Sequence, residues 1–326
     1  MQTIARDTFW GTVDDVEKRG VIMKNVLVVG SLNMDFDVYM ERRPLAGETV
    51  MARNLKLVPG GKGANQAYAL GKLGVTTAMI GAVGKDSFGQ QMLENLHSVK
   101  VDTSGIKVSE VLETGKAFIE IEDNGQNSIS VIAGANHEVD GTMIRANRHL
   151  FDAADVVVMQ LEIPMPAVIE AARLAKECGK MVVIDPAPAR ANFPEELYSL
   201  IDITKPNETE LSVLTGMPTD TEEQVIAAAR SLTAKGVGAV LVTLGGNGTM
   251  LVTNERLQTF PAYKVKAVDT TAAGDCFLAA FLSAFTGENY ADAIDFAARA
   301  SAIAVTRRGA QTSIPTREEI QAFRVS

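Results

Sequence analysis

Apolar residues along this chain come in short unbroken runs separated by amphipathic stretches. "NVLVVG" (25–30), "TAMIGAV" (77–83), "DVVVMQL" (155–161), "MVVIDPA" (181–187) and "AVLVTLGG" (239–246) are nearly continuous apolar runs. Parallel strands buried on both faces have this pattern. Between them, "SFGQQMLENLHSV", "MPAVIEAARLAKECG" and "TEEQVIAAARSLTAKG" place apolar residues at helical spacing. The last two end in glycine, which a helix C-terminus prefers. Strand and helix alternating over most of the chain predict an α/β fold with a mostly parallel sheet.

Two stretches break the rhythm. "FDVYMERRPLAGETVMARNLKLV" alternates like exposed strands joined by a turn, and "GKAFIEIEDNGQNSISVI" reads as a hairpin turning at "DNGQ". Segments of about 34–59 and 113–133 are therefore expected to build a small β-structure standing off the main sheet. A lid over a site is one reading of it; a structural flap or a dimer surface is the other. Residues 1–22 lack the apolar core of a signal peptide and read as an extension, loosely ordered or foreign to the natural protein. Residues 23–326 are expected to form the folded domain.

Composition narrows the partners. With 46% apolar and 22% charged residues in 326, the chain is ordinary globular material. A net charge of −9 argues against nucleic acid or an anionic membrane as the main partner. It leaves room for a small anion, which needs only a local positive site. No uninterrupted apolar run suggests a membrane span. Cys178 and Cys276 have neither metal nor redox spacing, which fits a reduced, cytoplasmic setting.

Ligands of open α/β sheets collect at the carboxyl ends of strands, so the residues following each run carry the candidate chemistry. In "VDTTAAGDCF", small residues open an apolar helix. The bare amides of such a start suit a phosphate. Asp275 beside it makes sense as a base for an attacking hydroxyl, or merely as a helix cap. "PGGKGANQA" either brings backbone close to a ligand, with Lys62 and Asn65 as polar partners, or simply turns into a helix. It is not the ordinary P-loop. "GSLNMD" follows the first strand without a dinucleotide fingerprint. Asn33 and Asp35 offer partners for sugar hydroxyls, or form an Asx turn. Glu162 follows another strand. Asn207 and Glu210 have capping-box spacing as well as a strand-end position.

Taken in order, "GSLNMD", "GGKGANQA", "VGKDSFG", "QLE", "PNETE", "VTLGGNG", "DTTAAGD" and "GAQTS" resemble the ribokinase family of carbohydrate kinases, from about Asn25 to the C-terminus. The resemblance implies a three-layer α/β/α domain with a β lid, and a homodimer paired through the lids. It implies an ATP-dependent sugar kinase with Mg²⁺ and an activating K⁺, acting on D-ribose at O5. A kinase for 2-deoxyribose, another sugar or a nucleoside is the alternative, and a non-catalytic sugar-binding regulator a distant one. By the same resemblance, Asn33, Asp35, Gly61, Lys62, Asn65 and Glu162 would hold the sugar. Asp275 would be the base, and Ala272, Ala273 and Gly274 would present amides to the transferring phosphoryl group. Asn207 and Glu210 would sit near the nucleotide phosphates and Mg²⁺, with Thr243, Gly245 and Gly248 bordering the nucleotide. Asp269, Thr271, Ala304, Arg307, Gly309 and Ser313 would hold K⁺. The chain departs from the family at four places, the first being "DCFLAA" (275–280), where members often read "DTFNGA", a change expected to alter packing more than chemistry. Asp185 replaces a common Asn. Ala298 and Arg299 replace the Asn or His near the adenine. Met34, bulkier than the common alanine, is expected to crowd the sugar pocket.

Overall fold

The computed structural model describes residues 25–124 and 126–324; the expected N-terminal extension lies outside them. The strands in chain order are β1 (Asn25–Val29), β2 (Asn33–Met40), β3 (Asn54–Gly60), β4 (Thr76–Gly84), β5 (Asp102–Ser109), β6 (Gly115–Glu122), β7 (Asn127–Ile132), β8 (Val156–Met159), β9 (Met181–Ile184), β10 (Ile203–Thr204), β11 (Ala239–Thr243), β12 (Thr249–Thr253) and β13 (Leu257–Phe260). The helices are α1 (Lys62–Lys72), α2 (Ser87–Ser98), α3 (Gly141–Ala146), α4 (Arg148–Ala153), α5 (Met165–Glu177), α6 (Glu195–Tyr198), α7 (Glu208–Thr215), α8 (Glu222–Ala234), α9 (Ala273–Ala284), α10 (Tyr290–Val305) and α11 (Arg317–Ala322).

Nine strands form one sheet in the order β13-β12-β11-β10-β9-β8-β1-β4-β5. From β11 to β5 every neighbouring pair is parallel, while β12 and β13 are added antiparallel at one edge. The five apolar runs supply β1, β4, β8, β9 and β11. The edge pair β12 and β13 and the strands β5 and β10 are additions that the apolar runs do not announce. β5 and β13 are largely exposed and β10 is two residues long, so no continuous apolar run marks them; β12 is buried, but threonines at both ends leave only Met250–Val252 as its apolar stretch. Alternate residues of β1 and β8 feed two cores. Val26, Val28, Val156 and Val158 pack against α1, α2, α9 and α10. Leu27, Val29, Val157 and Met159 pack against α3, α4, α5, α7 and α8. The result is three layers, helices on both faces of a mostly parallel sheet.

A second, four-stranded sheet has the order β3-β2-β6-β7 and is drawn from the two off-rhythm segments. Met34, on β2, is fully buried in the core with Leu32, Ala64 and Met79. Strand alternation puts it on the opposite side of β2 from Asn33 and Asp35. The expectation that it crowds a sugar pocket is therefore corrected: it fills the core, away from the side of β2 that carries Asn33 and Asp35. Among the described residues no helix is long and apolar enough to cross a membrane.

Candidate active site

The chain runs outward from β1 in two directions, to β4 and β5 on one side and to β8 and beyond on the other. The crevice between β1 and β8 is thus a topological switch point. Strand ends deliver Ser31 and Asn33 after β1, Gln160 and Glu162 after β8, Asp185 after β9 and Lys205 after β10. The N-termini of α1 and α9 point into the same region.

Helix α9 is buried continuously from Asp275 to Leu282, which fixes its first turn against the core. Its N-cap, Ala272, is left-handed at φ 56° and supplies no side-chain cap. A non-glycine residue held there costs roughly 1 kcal/mol or more, a strain found where function requires it. The amide of Ala273, expected in the anion site, donates to Thr270 O at 3.2 Å. The opening is accordingly centred on Gly274, which is exposed, next to the buried Asp275.

The Asp275 carboxylate accepts from Asn65 Nδ2 at 3.1 Å and from Gln66 Nε2 at 2.9 Å. The same Gln66 nitrogen donates to Asp185 Oδ2 at 2.9 Å, and Gln66 Oε1 accepts from Gln160 Nε2 at 2.6 Å. Gln311 Nε2 holds Asn65 Oδ1 at 3.1 Å. Burial pushes Asp275 up to about 6, with the Asp185 charge adding to it; Lys62 and the hydrogen bonds from Gln66 and Asn65 pull the other way. A carboxyl with that titration is able to accept a proton close to neutral pH.

Gly61, at φ 84°, caps α1, and a Cβ on it would come within 2.7 Å of Asn33 N. Only glycine allows the two loops to touch. Glu162 Oε2 ties them further, accepting from Ser31 Oγ at 2.5 Å and from Lys62 N at 3.0 Å. Asn33 Oδ1 accepts from Asn136 Nδ2 at 2.9 Å, and Asn136 also brackets the backbone of Leu32. Asp35 is buried and pushed up to about 8, chiefly by burial, then by Asp37, Glu162 and Asp275, with Lys62 opposing. Burial lowers the Lys62 ammonium, but Asp275, Asp185 and Glu162 outweigh it and hold Lys62 above its ordinary value. Asn33, Asp35, Gly61, Lys62, Asn65, Glu162 and Asp275 are thus brought together.

On the other side, Asn207 and Glu210 form a capping box on α7. Asn207 Oδ1 accepts from Glu210 N and Glu210 Oε2 from Asn207 N, both at 2.8 Å. Thr243 pairs with Asn207 as an isolated bridge. The loop it begins closes through Leu244 N to Gly248 O at 2.8 Å, so Asn207, Thr243, Gly245 and Gly248 share one edge of the crevice. Arg299 does not stand free. It donates to Tyr263 Oη at 3.2 Å and pairs with Asp295 at 2.8 Å.

The six expected cation residues lie on two cross-linked segments. Asp269 accepts from Thr271 N, Thr271 Oγ1 and Gly309 N at 2.9, 2.6 and 2.8 Å. Val268 and Asp269 amides donate to Val305 O. The carbonyl of Ala304 already accepts from Arg307 N at 3.0 Å, the Arg307 guanidinium pairs with Glu319 at 2.6 Å, and Ser313 Oγ donates to Ala310 O at 2.7 Å. Among the described residues no three His, Cys, Asp or Glu side chains converge as a metal cluster.

Sequence reasoning missed Gln66, Gln160, Asn136, Gln311 and Lys205. Gln66 adjoins Asn65 in "GANQA", but neighbours on a helix diverge, and nothing local says that both reach one carboxylate. Lys205 stands two residues before Asn207, where a lysine normally reads as solvated.

Residues 23–317 match the family described as pfkB family carbohydrate kinase. The chain belongs to the pfkB family of carbohydrate kinases. A ribokinase of Staphylococcus aureus is 42% identical to this pfkB-family chain over 298 residues, 90% of it and 98% of that protein. A deoxyribokinase of Salmonella typhi is 35% identical over 300 residues, 92% of this chain and 98% of that one. The solved structure of Arabidopsis thaliana ribokinase complexed with ribose and ATP has a TM-score of 0.85 at 36% identity, covering 91% of this chain and 97% of that chain. The three-layer fold is thus that of a pfkB-family kinase.

Proposed function

We propose that the protein transfers the γ-phosphoryl group of ATP to O5 of D-ribose, giving ribose 5-phosphate and ADP. One observation carries the reading: a buried carboxylate, Asp275, lies beside the exposed amide turn at Gly274 and within the group of polar side chains suited to sugar hydroxyls. Asp275 accepts the proton of the primary hydroxyl as its oxygen bonds to the γ-phosphorus. The bond to the β–γ bridging oxygen breaks, and ADP leaves with the electron pair. Helix α9's first amides stabilise charge on the equatorial oxygens. Asn33, with its Oδ1 occupied by Asn136, turns its amide nitrogen to the sugar, and Asp35, Lys62 and Asn65 complete the hydroxyl contacts.

Glu210, with the nucleotide's own phosphates, suits Mg²⁺, which prefers one or two carboxylates plus phosphate and water. When bound, Mg²⁺ neutralises phosphate charge. The hard oxygens of the segments around Asp269, Thr271, Ala304, Arg307, Gly309 and Ser313 suit K⁺. The first of these segments, with Asp269 and Thr271, leads directly into α9, and its cross-links to the second, through Gly309 N and Val305 O, hold that first turn in place.

The reading is tested by ADP release with Mg-ATP and D-ribose, with and without K⁺, beside 2-deoxyribose, fructose and a nucleoside. Ribose is expected to exceed 2-deoxyribose in kcat/KM by about tenfold or more, since a site built to bond a hydroxyl rejects its absence. Equal turnover of another acceptor changes the substrate; no turnover with any acceptor overturns the kinase reading.

The smaller sheet is the lid in this account, and two copies pair through it. Asp35 and Asp37 share a face with Ala117, Ile119, Ile129 and Val131 by strand register. The first four of these six are buried or nearly so, whereas Ile129 and Val131 are 57% and 50% exposed. An exposed apolar edge next to a sugar site is costly unless covered. The double variant Ile129→Lys, Val131→Lys is expected to run as a monomer by light scattering where the parent runs as a dimer. A parent that is itself monomeric removes the pairing.

A further inference from the structure

Two buried charges near the site are unused by the chemistry above. Lys205 and Asp185 are 4% and 2% exposed, and Lys205 Nζ lies 3.3 Å from Asp185 Oδ1. The geometry is not that of a hydrogen bond, and Asp185 Oδ1 has no other partner. An imperfectly paired buried ion pair stabilises a fold poorly, and an apolar pair of the same volume often does better. Its position suggests a use. The point that a Cβ on Gly274 would occupy is 3.2 Å from Lys205 Nζ, so the ammonium stands over the opening of α9. Asp185 is in turn joined to the base through one nitrogen: Gln66 Nε2 bonds both Asp185 Oδ2 and Asp275 Oδ1 at 2.9 Å. Backbone anchors the lysine at its root, with Lys205 N donating to Ile184 O at 3.2 Å.

We propose that Lys205 is a catalytic residue whose ammonium contacts the transferring phosphoryl group above Gly274, and that Asp185 is the positioning residue that holds it there. The proposal rests on the kinase reading above. An ammonium held by Asp185 at 3.3 Å without a hydrogen bond has donors left for an incoming oxygen anion. As negative charge spreads over the equatorial oxygens, a fixed cation at this distance gains more in the transition state than in the ground state. Through Gln66, Asp185 also keeps the base and the lysine in one rigid frame. Without Asp185 the lysine loses its anchor, and without Lys205 the Asp185 charge is stranded beside Asp275.

The test compares the parent with Lys205→Met, Asp185→Asn and the double variant Asp185→Asn, Lys205→Thr, in which neither charge is left unpaired. The readouts are kcat and KM with Mg-ATP and the preferred acceptor, acceptor binding by calorimetry, and thermal unfolding. Lys205→Met is expected to lower kcat about 100-fold, the scale of losing one oxyanion donor, with acceptor affinity unchanged. The double variant is expected to be about as slow as Lys205→Met, because the two residues act as a unit. If Lys205→Met does not fold, the double variant carries the test alone. A folded Lys205→Met or double variant with kcat within about threefold of the parent overturns the proposal. So does a loss that appears in acceptor binding and not in kcat. A parent that phosphorylates no acceptor fails the kinase reading instead, and the two failures are distinct.

Discussion

Asp275→Asn is expected to lower kcat by about 10³-fold, in the range that a positioned general base contributes, while the acceptor still binds. An amide cannot take the hydroxyl proton. It also cannot accept from Asn65 and Gln66 with both of its polar atoms, as the carboxylate does. The sign of the pH dependence follows. The base works ionised, and burial has moved its titration up to about 6. For the parent, kcat/KM is therefore expected to fall as pH drops through about 6, and the variant's residual rate is expected to lack that acid limb. Steady-state profiles from pH 5 to 9, roughly the range over which such groups titrate, make the comparison. Residual turnover near the parent's, or an unchanged acid limb in the variant, takes the proton-accepting role away from Asp275.

Asp35→Ala is expected to raise the acceptor KM about 10- to 100-fold with kcat changed far less, because hydrogen bonds lost in a buried site cost about 1–3 kcal/mol. The group lies on the lid strand and touches substrate hydroxyls remote from the reacting atom in this account. An effect mainly on kcat would place it elsewhere. The same residue gives a stability signature. Its folded carboxyl titrates at about 8 against an ordinary 3.8, so the folded state holds a proton that the unfolded chain releases. The stability this contributes is fully present at low pH and lost as pH rises from 3.8 towards about 8. Asp35→Asn, which has no proton to lose, is expected to melt above the parent at pH 8 and close to it near pH 4, read by thermal unfolding in that window. A parallel pH dependence in both proteins would contradict it. Binding of the acceptor is thus set against stability, as at many sites built from buried polar groups.

The large sheet was legible because its central strands are buried on both faces, and burial leaves nothing but apolar residues over their length. β1, β8, β9 and β11 announce themselves in this way. β10, two residues long, and β13, largely exposed, have no such signature. Within the site, legibility followed backbone chemistry. "GGKGANQ" and "AAGD" are readable since close backbone approach admits only small residues, and a base next to them is conspicuous. Asn207 and Glu210 were legible as a pair; the structure makes them a capping box, and their role at the nucleotide rests on the proposal.

From sequence alone, then, come the α/β architecture, the small-residue turns and the aspartate at the head of an apolar helix. These depend on local rules of burial period and backbone sterics. Tertiary structure alone decided what Asp275 touches, that Met34 turns inward, and that Asp185 meets Lys205. Asn65 and Gln66 lie 210 and 209 residues from Asp275 in the chain, and Asp185 and Lys205 follow different strands. Contacts across such separations depend on strand order and on which way a sheet is wound. A carboxylate and a lysine read identically in sequence whether solvated or buried; only the packed fold, by removing water from both, turns them into chemistry.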